Sequence, residues 1–159
     1  MGTTTFTGPV TVGSIIDTSG SVLGNDVQNT GFVELVQTQA ITQAAGGGGG
    51  AGVYVTNIVV PASSLIVGIT IVVSTAWTGV ASTLGIGTTA SATALTTAAA
   101  VDGGTAGYIN VDPGTGATQI GNWLDVGTPD IQIKVTSTNT GSGAGTLIVR
   151  YIQTVNTTS

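Results

Sequence analysis

Short stretches rich in Val, Ile and Thr recur along the chain, and several alternate between apolar and polar residues. In IQIKV (131–135) the three apolar side chains fall on one side of an extended chain, because side chains alternate along a strand. LIVGITIVV (65–73) is apolar at every second position, which is typical of a central strand. TLIVRYIQT (146–154) is apolar on both faces apart from Arg150, so we expect this strand to lie against a second surface.

Turn chemistry separates these stretches from one another. VDPGTG (111–116) has the Pro-Gly order of a type II turn, and NTGSGAG (139–145) is typical of a flexible connector. SATALTTAAAV (91–101) has a helical composition for at most a turn or two. Further strand candidates lie at 10–16, 32–42, 52–60, 82–87, 107–111 and 119–126. About eight short strands with almost no helix predict an all-β protein, either a sandwich or a barrel.

The apolar residues are too sparse for a core element in the first thirty residues, where glycine interrupts the chain repeatedly. We therefore predict an extended N-terminal arm over residues 1–30, followed by a single β-sandwich domain over 31–159. A frayed terminus or an edge strand would give the same pattern.

Five consecutive glycines, Gly46 to Gly50, join two of the predicted strands. A hairpin needs one or two glycines at most, and fixing the backbone costs roughly 1–2 kcal/mol per residue, with glycine at the high end. We expect that this loop either stays mobile or is held by a neighbour.

Charge is scarce, since only 6% of the residues are charged and the net charge is −5, with two cations in the whole chain. Without a basic stripe or a cationic amphipathic face, we expect neither nucleic acid nor a membrane as a partner. The first residues lack the pattern of a signal peptide, which predicts synthesis and assembly in the cytoplasm. A surface of hydroxyl and amide groups carries little electrostatic repulsion between copies, and this favours assembly.

Enzyme chemistry has few candidate residues, because the chain contains no histidine and no cysteine. Lys134 is the one nitrogen base for a nucleophile, and we interpret it as a solubilising side chain. Asp125 and Asp130 are a possible carboxylate pair, but the sequence around them is more typical of a turn. We predict a protein without catalysis, cofactor or metal, although Asp102, Asn110 and Asp112 leave calcium as an open alternative.

Trp77 and Trp123 are large anchors in a chain with 4% aromatic residues. Trp77 follows an apolar strand, and we expect it in the core. Trp123 lies between polar turns, which makes it the better candidate for an interface or a ligand contact.

Three blocks of the sequence resemble a known group of proteins. They are the opening MGTTTFTGPVTVGSI, the central IVVPASSLIVGITIVVSTAWTG with the following STLGIGTTASATALTT, and the closing GAGTLIVRYIQ. Together they resemble small virion proteins of tailed phages, especially marine ones, that are described as capsid decoration or cement proteins. The resemblance covers most of the chain, but the long polyglycine loop is not a feature of the group.

The resemblance implies a jelly-roll-like β-sandwich that binds the outer surface of an icosahedral phage head as a homotrimer. Its partner would then be the major capsid protein, and its place the surface of the virion. On this hypothesis the arm and the glycine loop contact the capsid lattice, and residues around Ile69, Ile133 and Val149 form the core. The candidate assembly contacts are Thr3, Phe6, Pro9, Val12, Gly46, Gly48, Gly50 and Trp123.

Two other functions remain as alternatives at this point. A receptor-binding module of a tail fibre or head fibre would share the strand-rich, polar sequence. A self-assembling subunit of a tube or pilus would donate the arm as a strand to the next subunit.

Overall fold

Eight β-strands and one short helix make up the part of the chain described by the structure, a computed structural model that covers residues 33–44 and 46–153. The strands are β1 (Val33–Thr42), β2 (Val53–Val60), β3 (Ser64–Thr75), β4 (Thr83–Thr88), β5 (Val101–Asp102), β6 (Gly107–Val111), β7 (Ile131–Ser137) and β8 (Ala144–Gln153). Helix α1 (Ala117–Leu124) lies between β6 and β7. The predicted arm, the predicted strand at 10–16 and the domain boundary after residue 30 lie outside the described residues.

The strands form two four-stranded antiparallel sheets. The first sheet has the order β1-β8-β3-β6 and the second the order β2-β7-β4-β5. Neighbouring strands thus form four nested pairs that alternate between the two sheets. These pairs are β1 with β8, β2 with β7, β3 with β6, and β4 with β5. This is the order of an eight-stranded jelly roll, in which a long antiparallel ribbon is rolled into two Greek keys. The predicted all-β, jelly-roll-like sandwich is confirmed.

The core lies between the two sheets and is made of aliphatic side chains. Ile69 on β3 and Val149 on β8 meet Ile133 on β7, and these three side chains are at most 2% exposed. Trp77, which follows β3, is also buried, and its indole N–H donates a hydrogen bond to the Ser137 hydroxyl at 2.8 Å. The predicted core residues, Trp77 included, are confirmed.

Strand β3 departs from the predicted alternation. Its pairing with β8 shifts between Ile66 and Gly68, where a β-bulge adds one residue to β3. Ile66 is therefore buried, whereas Leu65 is only partly buried. The prediction of one unbroken apolar face from 65 to 73 was wrong before the bulge and right after it.

The strand predicted at 119–126 was also wrong, because residues 117–124 form helix α1. Ile120, Trp123 and Leu124 have the i, i+3, i+4 spacing of one helical face. The described residues include no helix with both the length and the apolar character that a membrane span requires.

The connections between strands gather at two ends of the sandwich. We call the end formed by residues 43–44, 46–52, 76–82, 103–106 and 138–143 the Gln43 end, and the end formed by 61–63, 89–100 and 112–130 the helix end. The glycine loop belongs to the Gln43 end, and α1 belongs to the helix end.

Candidate assembly surfaces

The glycine loop of the Gln43 end folds back onto the edge of β2. Gly46 N–H donates to the Val53 carbonyl at 3.2 Å, and Val55 N–H donates to the Gly46 carbonyl at 3.0 Å. Two further hydrogen bonds of 2.9 Å lie within the loop. Gly49 N–H donates to the Gly46 carbonyl, and Val53 N–H donates to the Gly50 carbonyl. The neighbour that holds this loop is therefore the chain's own second strand.

Close approach to β2 explains why several of these residues are glycines. A Cβ on Gly46 would overlap the Tyr54 ring, and a Cβ on Gly47 would overlap the Val55 carbonyl. Gly47 and Gly48 also have positive φ angles of 60° and 85°, which residues with a side chain rarely adopt. Gly48 and Gly50 are exposed and have open space around the Cβ position. A partner can therefore reach Gly48 and Gly50 more readily than Gly46.

A pair of alanine variants separates backbone conformation from steric contact in this loop. We expect Gly48→Ala to lower the free energy of unfolding by about 1–2 kcal/mol, because its φ lies in the left-handed region. The φ angle of Gly50 is not positive, so alanine fits the backbone there, and Gly50→Ala should change this free energy by less than about 1 kcal/mol. Urea unfolding of both variants measures the difference, and equal losses would show that φ does not set the requirement for glycine.

The rest of the β2 edge is covered by glutamine side chains from β1. Gln39 accepts a hydrogen bond from Asn57 N–H at 2.6 Å. Gln37 accepts one from Val59 N–H at 3.3 Å and donates one to the Val59 carbonyl at 2.6 Å. Together with Gly46, these side chains form hydrogen bonds with backbone groups of β2. In an uncovered edge strand, such groups are free to pair with another chain.

Trp123 is partly buried on α1 and packs against the core. Its indole N–H donates to the Leu95 carbonyl at 2.9 Å, and Asn122 and Gln119 donate to the carbonyls of Ala94 and Thr93, both at 2.8 Å. Three side chains of α1 thus bind three successive carbonyls of the β4–β5 connection. The polar atom of Trp123 is engaged inside the chain, and a partner could reach only the remainder of the ring.

The β4–β5 connection, residues 89–100, covers the part of the second sheet's outer face that lies over β4, and we call it the roof loop. Thr96 N–H donates to the Ile86 carbonyl at 2.9 Å, and the Thr96 hydroxyl accepts from Ile86 N–H at 2.8 Å. Beside the roof loop is a cleft of about 280 Å³ lined mainly by small residues. One lining residue, Thr136, has a buried hydroxyl without a hydrogen-bond partner in the described structure.

The aspartates discussed above as possible catalytic or calcium-binding groups each bind a backbone N–H in a turn. Asp125 accepts from Gly127 at 2.8 Å, and Asp130 accepts from Ala62 at 2.9 Å. Asp112 accepts from Gly114 at 2.7 Å, and Asp102 accepts from Gly104 at 2.9 Å. Within residues 33–44 and 46–153, no three acidic, histidine or cysteine side chains come close enough to hold a metal ion.

The structure places the predicted assembly contacts in separate regions. Thr3, Phe6, Pro9 and Val12 lie outside the described residues. Gly46, Gly48 and Gly50 share the loop at the Gln43 end, whereas Trp123 lies on α1 at the helix end. The described residues of this set therefore do not form a single site, and their role in assembly stays a prediction.

Sequence reasoning did not identify the glutamines of β1 as edge-covering groups. Gln37 and Gln39 occupy the same alternate positions as the buried Ile41, so they lie on the inward side of the strand. The signal that could have identified them in the sequence is the presence of long amide side chains at the inward positions of a strand next to a sheet edge.

No protein-family model matches this chain. No curated protein matches it either. Among solved structures, a chain of the cyanophage Pam1 capsid asymmetric unit is similar, with a TM-score of 0.46 and 17% sequence identity. The match covers 82% of this chain and 92% of that chain.

Proposed function

We propose that this protein is a non-enzymatic structural protein of a phage virion, a capsid decoration protein that binds the outside of the head. The resemblance of its three sequence blocks to decoration proteins supports this function. The strand order agrees with the jelly-roll sandwich which that resemblance implies.

The observation that carries the proposal is the chemistry of the surface. Only 6% of the residues are charged, and each of the four described aspartates accepts a hydrogen bond from a backbone N–H of this chain. Exposed apolar side chains are present on β1, β3 and β6, including Val36, Val72 and Tyr108. A surface of this kind suits burial against other protein subunits.

The mechanism is mechanical. A decoration protein that bridges neighbouring major capsid subunits binds the assembled, expanded lattice and not the separate subunits. Binding of this kind stabilises the lattice by about 2.7 kcal/mol per site when the free protein is at 100 times its Kd. The glycine loop and the predicted arm are the segments that we assign to lattice contacts, and we propose that the decoration protein that makes these contacts is a homotrimer.

Cosedimentation with phage heads tests this function. Purified protein is mixed with undecorated, expanded heads, and the bound copies per head are counted as protein concentration rises. We expect saturation at a number that matches the icosahedral three-fold and quasi-three-fold positions. Unexpanded heads are the matched control, and they should bind fewer copies because their subunits are arranged differently.

An absence of binding to expanded heads would overturn the decoration role. A discrete oligomer that binds host cells and not heads would favour the fibre module. Open-ended polymers in size-exclusion chromatography would favour the tube or pilus subunit.

A further inference from the structure

The outer face of the first sheet keeps apolar side chains open to solvent. Val36 on β1 is 56% exposed, Val72 on β3 is 37% exposed, and Tyr108 on β6 is 66% exposed. Val72 and Tyr108 are direct neighbours in the β3–β6 pairing. We call this surface the apolar face, and its members are Val36, Leu65, Val72, Tyr108, Ile148 and Ile152.

The outer face of the second sheet differs, because a segment of the same chain covers part of it. There the roof loop packs over β4, where Gly85 and Gly87 leave room for the loop backbone. The chain thus buries part of one outer face by itself, while Val72 on an inner strand of the other remains open. An apolar face of this kind on a folded sheet indicates a surface that another protein covers.

Charge on the apolar face is balanced. Its ion pair joins Arg150 on β8 to Glu34 on β1 at 3.4 Å, and the Arg150 side chain lies against Gly68. The other described carboxylates, those of the four aspartates, lie at the ends of strands or in the connections. A second copy of this chain has the same net charge of −5, so two copies repel least where each presents a neutral surface.

The size of the face suits a subunit interface. Strands β1, β8, β3 and β6 have 10, 10, 12 and 5 residues, and each residue occupies about 16 Å² of a sheet. The face therefore covers about 600 Å², which is about three quarters of the roughly 800 Å² per partner of a standard interface. Tyr108 supplies an exposed aromatic anchor, the kind of residue that contributes most to binding in such interfaces.

We propose that the apolar face is the surface through which copies of this chain associate, with the neighbouring pair Val72 and Tyr108 among its main contacts. A second copy is the occupant that the balanced charge favours. The inference rests on the proposed function only for the expectation that copies assemble, and it requires no capsid.

Two lysine variants of the full chain test this interface. Val72→Lys places a charge on the apolar face, and Val59→Lys places the same charge on β2, on the outer face of the second sheet. The two valines are 37% and 38% exposed, so the substitutions are matched in chemistry and in exposure. Sedimentation velocity from about 1 to about 100 μM measures association over the range expected for weak to moderate interfaces.

We expect the unmodified chain and Val59→Lys to sediment as the same oligomer, and Val72→Lys to dissociate at least ten-fold more readily. Tyr108→Ser provides a second test on an edge strand if Val72→Lys fails to fold, which circular dichroism detects. A monomeric unmodified chain throughout this range would overturn the inference. So would equal association of Val72→Lys and Val59→Lys, since the interface would then lie elsewhere.

The head-binding experiment distinguishes this result from failure of the proposed function. Normal self-association without head binding would leave the interface in place and remove the decoration role. A monomer that binds heads, and loses that binding in Val72→Lys, would assign the apolar face to the capsid and overturn the inference.

Discussion

Replacing Gln43 by methionine is expected to lower the free energy of unfolding by about 3–5 kcal/mol, because four backbone groups bound by this buried side chain lose their hydrogen-bond partners at once. Methionine has nearly the same length and shape as glutamine but can replace none of these bonds. The result therefore measures the polar contribution of one side chain to the Gln43 end.

Gln43 is 0% exposed, and its hydrogen bonds join its own loop to the β3–β4 and β7–β8 connections at the Gln43 end. Its Oε1 accepts from Thr78 N–H at 2.8 Å and from Gly143 N–H at 3.1 Å. Its Nε2 donates to the Thr78 carbonyl at 2.6 Å and to the Asn139 carbonyl at 2.9 Å. A buried group that loses its partner costs about 1–3 kcal/mol. The groups of Thr78 and Asn139 are only partly buried, so water replaces part of what they lose and the sum stays below four full penalties.

Gln119→Met is the matched control for Gln43→Met. Gln119 is partly exposed and donates one solvent-exposed hydrogen bond, to the Thr93 carbonyl at 2.8 Å, so the loss of this bond should cost less than about 1 kcal/mol. Urea unfolding followed by circular dichroism compares the two variants with the unmodified chain. A loss for Gln43→Met as small as that for Gln119→Met would contradict the assigned role.

The strands were largely predictable from sequence because each depends on local alternation. The predicted strands at 107–111 and 131–135 correspond to β6 and β7, and 52–60 corresponds to β2. The two-residue strand β5 was missed because it is too short to show a period. The bulge in β3 was missed because it is visible only in the pairing with β8.

The contacts that hold the loops could not be predicted, because they join residues far apart in sequence. Gln43 follows β1 directly and precedes a glycine run, a position where a polar residue is usually solvated. Its partners lie 35 to 100 residues further along the chain. Nothing local distinguishes such a buried, fully bonded amide from a surface glutamine.

Helix α1 shows a related limit. The apolar spacing of Ile120, Trp123 and Leu124 was available, but Gly121 and the short length weakened any helix prediction. What fixes this segment is the row of hydrogen bonds to the roof loop, in which Trp123 binds Leu95 at a separation of 28 residues. Tertiary contacts thus override a weak local preference.

The second large loss of stability is expected from a substitution at Gly87, which lies directly beneath the roof loop. A Cβ on Gly87 would overlap the backbone carbonyl groups of Ser91 and Ala92. These are backbone atoms, so no side chain can turn aside to make room. The loop would have to lift from β4, and the hydrogen bond from Thr88 N–H to the Ser91 carbonyl, 2.7 Å long, would be strained or lost.

We expect Gly87→Ala to lower the free energy of unfolding by about 3 kcal/mol, at the upper end of the usual range for overpacked sites. For a domain of this size the corresponding loss in Tm is about 10 °C. Differential scanning calorimetry measures both quantities on one sample, and the calorimetric enthalpy shows whether the variant still unfolds in one step.

Gly121→Ala is the control with the opposite sign. Gly121 lies inside α1, and a Cβ there has open space around it. Alanine is preferred over glycine within a helix by about 1 kcal/mol, so this variant should be slightly more stable than the unmodified chain. If Gly87→Ala is tolerated as well as Gly121→Ala, the roof loop does not pack on β4 closely enough to require glycine. If the two variants differ in sign, the glycine on β4 is what allows the loop to cover the second sheet.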